Sequence, residues 1–358
     1  MNRVKATLAG FAFLAVIVLL CVAATVTERT MAANAAVKAE EATTHAYGEQ
    51  GLPYGETLSS QLLDQDEDYL YFSDRILQRF HYDKQEIEIT RKALQAAVDS
   101  VPEGVNTYVM LTPLRIATEP EYAGYTDDVV AAIEELYGLL SGDAKVLDVS
   151  KALLAHGDEY VFFRTDDSWT ALGAYYAAEV FARAAGIKLM GLDGYMVDRI
   201  HPYNGSLGTL EKAQIAMDER DSVFYYIHPD KKNWETVVKR RGKDDYVTME
   251  VPAVARSRRG TDIFIGGTYS HAVLQGDVSN GRTLLIVGDS SAKFFAPWMT
   301  PYYENVYVIN AAWYQGGAEG YQTLWSEYAI TDCIFLESAD SFGDTVENQR
   351  LTQIAGGE

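Results

Sequence analysis

Apolar and polar positions along the chain fall into three regimes. The first is an uninterrupted apolar run from Ala6 to Val26, roughly 21 residues, about the length that spans a bilayer as a helix. Arg3 and Lys5 precede it and Glu28 follows, so the positive-inside rule keeps the short N-terminal tail cytoplasmic and exports the rest. Cleavable signal peptides carry a shorter apolar stretch of about 7–15 residues, which favours a retained anchor over residues 1–26, with Ala33-Asn34-Ala35 as the alternative cleavage site. Cys21 follows Leu20 where a lipoprotein signal wants a small residue, so it reads as an apolar helix residue. Residues 27–55 are rich in Ala, Glu, Thr and Gly without any period, and read as a tether.

From residue 56 to about 345 the pattern becomes periodic. The spacing predicts a helical region over Leu58–Phe80, then a helix opened by Asp83 as N-cap with Glu86 three residues on, running to Val98 with Ile87, Leu94 and Val98 on one face. Thr107–Leu111 reads as a strand stopped by Thr112-Pro113, and Asp127–Leu140 as a helix with Val130, Ile133 and Tyr137 on one side. Strands follow at Val146–Val149 and Tyr160–Phe163, and Thr170 caps a helix that stops at Gly186. Residues 189–281 break the rhythm with turns, short β-like pieces and basic clusters at Lys239-Arg240-Arg241 and Arg256 to Arg259, and read as a mixed β-rich insertion. The alternation then resumes: strand Thr283–Val287, helix from Ala292, strand Val306–Ile309, helix Ala318–Tyr328, strand Cys333–Leu336. Strands alternating with helices predict an α/β domain with a mainly parallel sheet flanked by helices.

Composition narrows the function. The 358 residues carry 51 acidic against 30 basic side chains, a formal charge of −21, which argues against a protein that wraps nucleic acid through phosphate neutralisation. Two cysteines, Cys21 and Cys333, supply neither a disulfide framework nor a four-thiolate metal site. No phosphate loop, dinucleotide fingerprint, EF-hand loop or His-x-x-x-His pair appears, so no metal, nucleotide or other cofactor is expected.

Two segments carry candidate chemistry. Gly288-Asp289-Ser290 follows the run Thr283–Val287 and precedes a helix, a turn that exposes a serine hydroxyl at the carboxyl edge of a parallel sheet beside free N–H groups. Ser290 is thus a candidate nucleophile or a simple helix cap. The other segment, Arg164-Thr165-Asp166-Asp167-Ser168-Trp169-Thr170, lies on a loop facing the same edge. Its carboxylates either orient a base or form a surface ion-pair cluster with Arg164. Asn204-Gly205-Ser206-Leu207-Gly208-Thr209 offers backbone donors for an oxyanion or is an ordinary glycine-rich turn. Trp169, Trp298, Tyr302 and Tyr303 either stack on sugar rings or pack in the core.

Together the segments resemble the DHHW family, named for an Asp-His-His-Trp string. Arg164 to Ala177 is similar to its signature, and Val287-Gly288-Asp289-Ser290-Ser291-Ala292-Lys293-Phe294-Phe295-Ala296-Pro297-Trp298 with Pro301 to Asn310 is similar to its nucleophile block. Thr107–Pro113 and Phe264-Ile265-Gly266-Gly267 also sit where the family has similar pieces. The resemblance implies an SGNH-hydrolase-like fold related to the alginate O-acetylation proteins of the AlgX and AlgJ type. Such proteins work outside the membrane beside a membrane-bound O-acyltransferase, in O-acetylation of a cell-surface or secreted polysaccharide. It further implies Ser290 as nucleophile and Asp166 as the carboxylate that orients a histidine, with Asp289, Arg164, Trp169 and Lys293 meeting substrate. The histidine itself is Ser168 here, and the one before it is Asp167. A serine hydroxyl is no general base near neutral pH, and loss of the base from such a triad costs about 10⁶ in turnover. Three accounts follow: a degenerate site on a glycan-binding or scaffold protein, a substitute base at Lys293 in a Ser-x-x-Lys arrangement, or a distant histidine among His156, His201 and His271.

Overall fold

The computed structural model describes residues 58–356 except 217–218, 230–235, 242–244, 251–258, 269 and 315. The predicted anchor and tether, and the side chains of Lys239-Arg240-Arg241 and Arg256 to Arg258, lie outside the described residues. Among the described residues no helix is long and apolar enough to cross a membrane.

The chain enters through an antiparallel meander, β1 (Leu62–Gln65), β2 (Tyr69–Phe72) and β3 (Ile76–Gln78). This corrects the helix expected over Leu58–Phe80. The Asp66 carboxylate accepts from the N–H groups of Asp68 (3.2 Å) and Tyr69 (2.9 Å) and makes a turn where a helix would have continued. Leu70, Phe72, Ile76 and Leu77 are buried on the body of the protein. Arg75, fully buried, pins the meander through Nε and Nη2 to the Glu119 carboxylate at 2.8 and 2.6 Å.

The main sheet has eight described strands. Five are parallel: β5 (Lys145–Asp148), β4 (Asn106–Thr112), β13 (Asp332–Ser338), β11 (Thr283–Gly288) and β12 (Asn305–Asn310), in that spatial order. β10 (His271–Gln275), β8 (Thr236–Arg241) and β9 (Asp245–Glu250) continue it antiparallel beyond β12. Part of the expected insertion therefore extends the sheet, which is mixed. β6 (Met196–Tyr203) and β7 (Asp221–Ile227) pair with each other as a separate ribbon.

Alternating side chains of the central strands feed two cores, the pattern of a sheet covered on both faces. Tyr108, Met110, Leu284, Ile286, Ile334 and Leu336 meet one layer, with α4 (Ala171–Ala184) and α5 (Ala292–Met299). Val109, Leu111, Leu285, Val287, Cys333 and Phe335 meet the other, with α1 (Lys84–Asp99), α2 (Val129–Leu139), α6 (Gly317–Glu327) and α7 (Thr345–Ile354). Asp83 caps α1 and Thr170 caps α4 as the sequence predicts, and Gly186 ends the latter helix at φ 68°. A short α3 (Ser150–Ala155) follows β5. Tyr160–Phe163 is not a strand: Phe162 makes a single antiparallel bridge with Trp169, and the chain turns at once. Residue 345 opens α7, whose Leu351 and Ile354 are buried in the second core.

Candidate active site

The site begins where β11 ends. A Cβ on Gly288 would lie 2.0 Å from the Leu336 carbonyl oxygen, so glycine lets the strand pass β13. Asp289 then ties the turn down: its carboxylate accepts from the N–H of Ser291 (2.7 Å), from the Ser291 hydroxyl and from the N–H of Ser338 (2.7 Å). Burial raises its carboxyl above the usual range, against these bonds and the charge of Lys293. Asp289, expected to meet substrate, lines the cleft beside Ser290 while its carboxylate holds the loop. Ser290, between these anchors, is exposed.

Ser290 opens into a cleft of ≈ 370 Å³ lined also by Thr112, Asn310 and Ser338, the last residues of β4, β12 and β13. The cleft thus sits at the carboxyl edge of the parallel strands, where connections diverge. The Asn310 Oδ1 accepts from Trp313 N–H at 3.1 Å, which leaves its amide nitrogen as the donor the side chain still offers.

The Arg164–Thr170 loop is brought to this edge by residues far away in sequence. Asp221, on β7 and fully buried, accepts from the N–H groups of Arg164 (2.8 Å) and Thr165 (2.6 Å) and from the hydroxyls of Thr165 and Tyr160. Gly205 N–H donates to Thr165 Oγ1 (2.9 Å), Gly208 N–H to the Thr165 carbonyl (2.9 Å) and Ser206 N–H to Asp166 Oδ2 (3.3 Å). The Asn204–Thr209 turn therefore uses these donors to hold the loop, in keeping with the second of its two readings, an ordinary glycine-rich turn.

Asp166 does not line the cleft. Its carboxylate accepts from Tyr203 OH (2.6 Å) and from the N–H groups of Ser168 (3.2 Å) and Ser206. Burial opposes its charged form, but the bonds from Tyr203 and Asp167 with the charge of Lys293 outweigh it and keep the carboxyl below its ordinary range. Asp167 and Ser168 do line the cleft with Ser290. Burial, and then the adjacent Asp166 carboxylate, push Asp167 up to about 7. Hydroxyls of Ser168 (3.3 Å) and Ser206 (3.2 Å) donate to its two oxygens.

Trp169 is 2% exposed, and its indole N–H donates to the Ser291 carbonyl at 3.1 Å, tying the two segments together. Arg164 lies with its guanidinium 5.8 Å from the Tyr160 ring centre and does not line the cleft. Lys293 is half-buried, donates to Thr261 Oγ1 at 3.1 Å and is also absent from the lining. Desolvation lowers its pKa against Asp166, Asp262, Asp167 and Asp289, so it serves as a counter-charge behind the carboxylates. The histidines lie elsewhere: His156 stacks on Tyr176 at 3.7 Å, His201 is 3.1 Å from Ser222 Oγ, and His271 begins β10. Trp298 and Tyr303 are core residues.

The DHHW protein family matches residues 51–309, most of the chain. The chain belongs to the DHHW family. A DHHW family protein from Eubacterium siraeum has a similar fold, with 22% identity, TM-score 0.67, and 83% of this chain and 97% of that one covered. Bacillus cereus PatB1, solved with a sulfonyl adduct, is similar at 14% identity and TM-score 0.64, covering 80% of this chain and 99% of its own. The O-acetyltransferase domain of Pseudomonas putida AlgJ matches at 13% identity and TM-score 0.44, covering 79% and 96%. No curated protein matches the chain in sequence. Within the DHHW pattern this member carries Asp166-Asp167-Ser168-Trp169.

Sequence reasoning expected Ser290, Asp166, Ser168, Asp289, Arg164, Trp169 and Lys293 at one site; Ser290, Ser168, Asp289 and Trp169 line the cleft, Asp166, Arg164 and Lys293 do not, and three contributors were missed. Asn310 was legible only as the end of a strand. Asp221 and Glu347, the latter also in the cleft lining, carry no local signal at all.

Proposed function

We propose that the protein transfers an acyl group to or from a polysaccharide outside the cytoplasmic membrane, with Ser290 as nucleophile and Asp167 as the proton acceptor in place of the family histidine. The observation that carries this reading is the shared cleft: an exposed serine on a strand-to-helix turn, and a carboxyl held near neutrality on the loop that Trp169 docks against that turn. A base is most effective when its pKa lies near the working pH.

In the forward step the Asp167 carboxylate takes the Ser290 hydroxyl proton as Oγ attacks the acyl carbonyl carbon. The developing oxyanion is met by the Ser290 N–H and the Asn310 amide. Collapse expels the donor alcohol, which leaves with the proton from Asp167, and an acyl-serine remains. A sugar hydroxyl then gives its proton to Asp167 and attacks that ester, and Ser290 recovers its proton as it departs. Water in place of the sugar gives hydrolysis. Burial and the charges of Asp166 and Asp340 set the field in which Asp167 titrates.

The apolar run before Val26 supports anchoring in the cytoplasmic membrane with the domain outside, where a polysaccharide is the substrate and a membrane-bound O-acyltransferase is the partner that supplies acyl groups. Substitution of the family histidine by Ser168 favours a second reading, a non-catalytic glycan-binding or scaffold partner in the same complex. The two separate by treating the full-length protein with a sulfonyl fluoride, motivated by the adduct seen on PatB1. Stoichiometric modification mapped to Ser290 and abolished in Ser290→Ala supports an activated serine, and an unmodified Ser290 supports the scaffold.

A further inference from the structure

The cleft carries a charge pattern that acyl transfer alone does not require. Asp167, Asp289, Asp340, Asp344 and Glu347 all line it, and among its described lining residues there is no lysine, arginine or histidine. Several of these carboxylates are engaged: Asp289 holds the nucleophile turn, Asp344 caps α7 through the N–H groups of Val346 and Glu347, and Asp167 accepts two hydroxyls. Glu347 differs. Its residue is 6% exposed, yet its Oε1 has no hydrogen-bond partner. A buried polar atom without a partner is uncommon, and at the wall of a cleft a group from outside the chain is one thing that can complete it. Burial, and then the charges of Asp289, Glu337, Asp340 and Asp344, raise this carboxyl to about 10, so it stays protonated for want of a nearby cation.

Trp313 stands at the same cleft with 50% of its surface exposed, its backbone fixed by Asn310. An exposed indole beside a carboxyl without a donor is suited to an amino sugar: the ring's C–H face packs on the indole, which also attracts a positive charge, while the ammonium donates to Glu347, whose proton passes to solvent as the cation arrives. A bare metal ion fits less well, because among the described residues no three His, Cys, Asp or Glu side chains are arranged to hold one. A uronate-rich glycan would meet only like charge.

We propose that the cleft recognises a protonated amine on its substrate, a glycan carrying an unacetylated amino sugar whose ammonium pairs with Glu347 and whose ring lies against Trp313. The inference rests on the reading that this cleft takes a glycan, and it adds the substrate's charge.

The test is equilibrium binding, by calorimetry on the full-length protein in detergent, of β-linked glucosamine tetramer, the same tetramer N-acetylated, and a tetramer of hexuronate. The glucosamine tetramer is expected to bind about tenfold or more tighter than either other, the value of a charge-assisted hydrogen bond. Glu347→Gln, isosteric and therefore folded, is expected to remove that preference while leaving the N-acetylated tetramer unchanged. Trp313→Ala, at an exposed position, is expected to weaken both amino-sugar ligands. Equal affinities, preference for the uronate, no binding of any tetramer, or saturation by calcium or magnesium chloride alone that Glu347→Gln abolishes would each overturn the proposal. Binding needs no turnover, so an inert Ser290 would defeat the acyl-transfer reading and leave amine recognition standing, and the reverse result would do the opposite.

Discussion

The indole N–H of Trp169 donates to the carbonyl of Ser291, the residue after Ser290, at 3.1 Å. That one bond joins a loop near the middle of the chain to a turn more than a hundred residues later, and both partners are buried. It fixes where Asp167 and Ser168 stand relative to Ser290.

Trp169→Phe keeps an aromatic ring and removes the donor, stranding the Ser291 carbonyl. A buried acceptor left unpaired costs about 1–3 kcal/mol, so a lower urea midpoint is expected together with slower sulfonyl labelling of Ser290. Unchanged labelling in a protein of reduced stability would show that the bond serves folding alone.

If Asp167 is the base, its carboxyl, lifted to about 7, is expected to set the pH profile of Ser290 reactivity. Ser290 reactivity should rise through a single ionisation near that pH and level off above it, as the carboxylate form accumulates. Asp167→Asn is isosteric and cannot take a proton. It should lower the plateau rate by about 10²–10⁴, the range of general-base catalysis, and erase the rise. A profile that survives in Asp167→Asn would move the base elsewhere.

Stability should run the other way with pH. Asp167, Glu337 and Glu347 all have folded carboxyls raised above their unfolded values, to about 7, 8 and 10. The folded state therefore binds more protons than the unfolded one from about pH 4 upward, and stability falls as pH rises through that window. Thermal unfolding is expected at a higher temperature at pH 5.5 than at pH 8.5. Glu347→Gln should flatten the difference and raise stability at the alkaline end, whereas a stability maximum above pH 8 would contradict these shifts.

Ser168→His returns the family's base to its position. Ser168 already lines the cleft with Ser290 and is half-buried. An imidazole placed there should raise hydrolysis of an acetyl ester by about tenfold or more over the parent, and the gain should vanish in the double variant with Ser290→Ala. No gain would mean that the loop fixed by Asp221 no longer presents position 168 to the serine.

Much of the architecture was legible in the sequence because it is written locally. Asp83 and Thr170 bond to N–H groups within their own first turn, and Gly186 takes a left-handed φ. The strands around residues 107, 284, 306 and 333 are apolar runs bounded by turn residues, and Gly288-Asp289-Ser290 announces a strand-to-helix turn by itself. What failed depended on partners elsewhere. The apolar positions of Leu58–Phe80 fit a helix as well as a meander, and Arg75 bound to Glu119 belongs to the packing that decided it. Tyr160–Phe163 has strand-like residues but no neighbouring strand, since its bonds close on Trp169 and Thr170. β8 to β10 joined the sheet because β12 left an edge to be paired, a fact of sheet order that no local run encodes.

The sequence by itself therefore determined most of the elements and the strand-to-helix turn at Gly288-Asp289-Ser290, because hydrophobic period and capping act over a few residues. Only the tertiary structure decided that Asp221 clamps the Asp167 loop, that Lys293 stands behind the carboxylates and that Glu347 completes the cleft. Burial and charge proximity are sums over all neighbours in space, and those neighbours come from segments the chain brings together only when it folds.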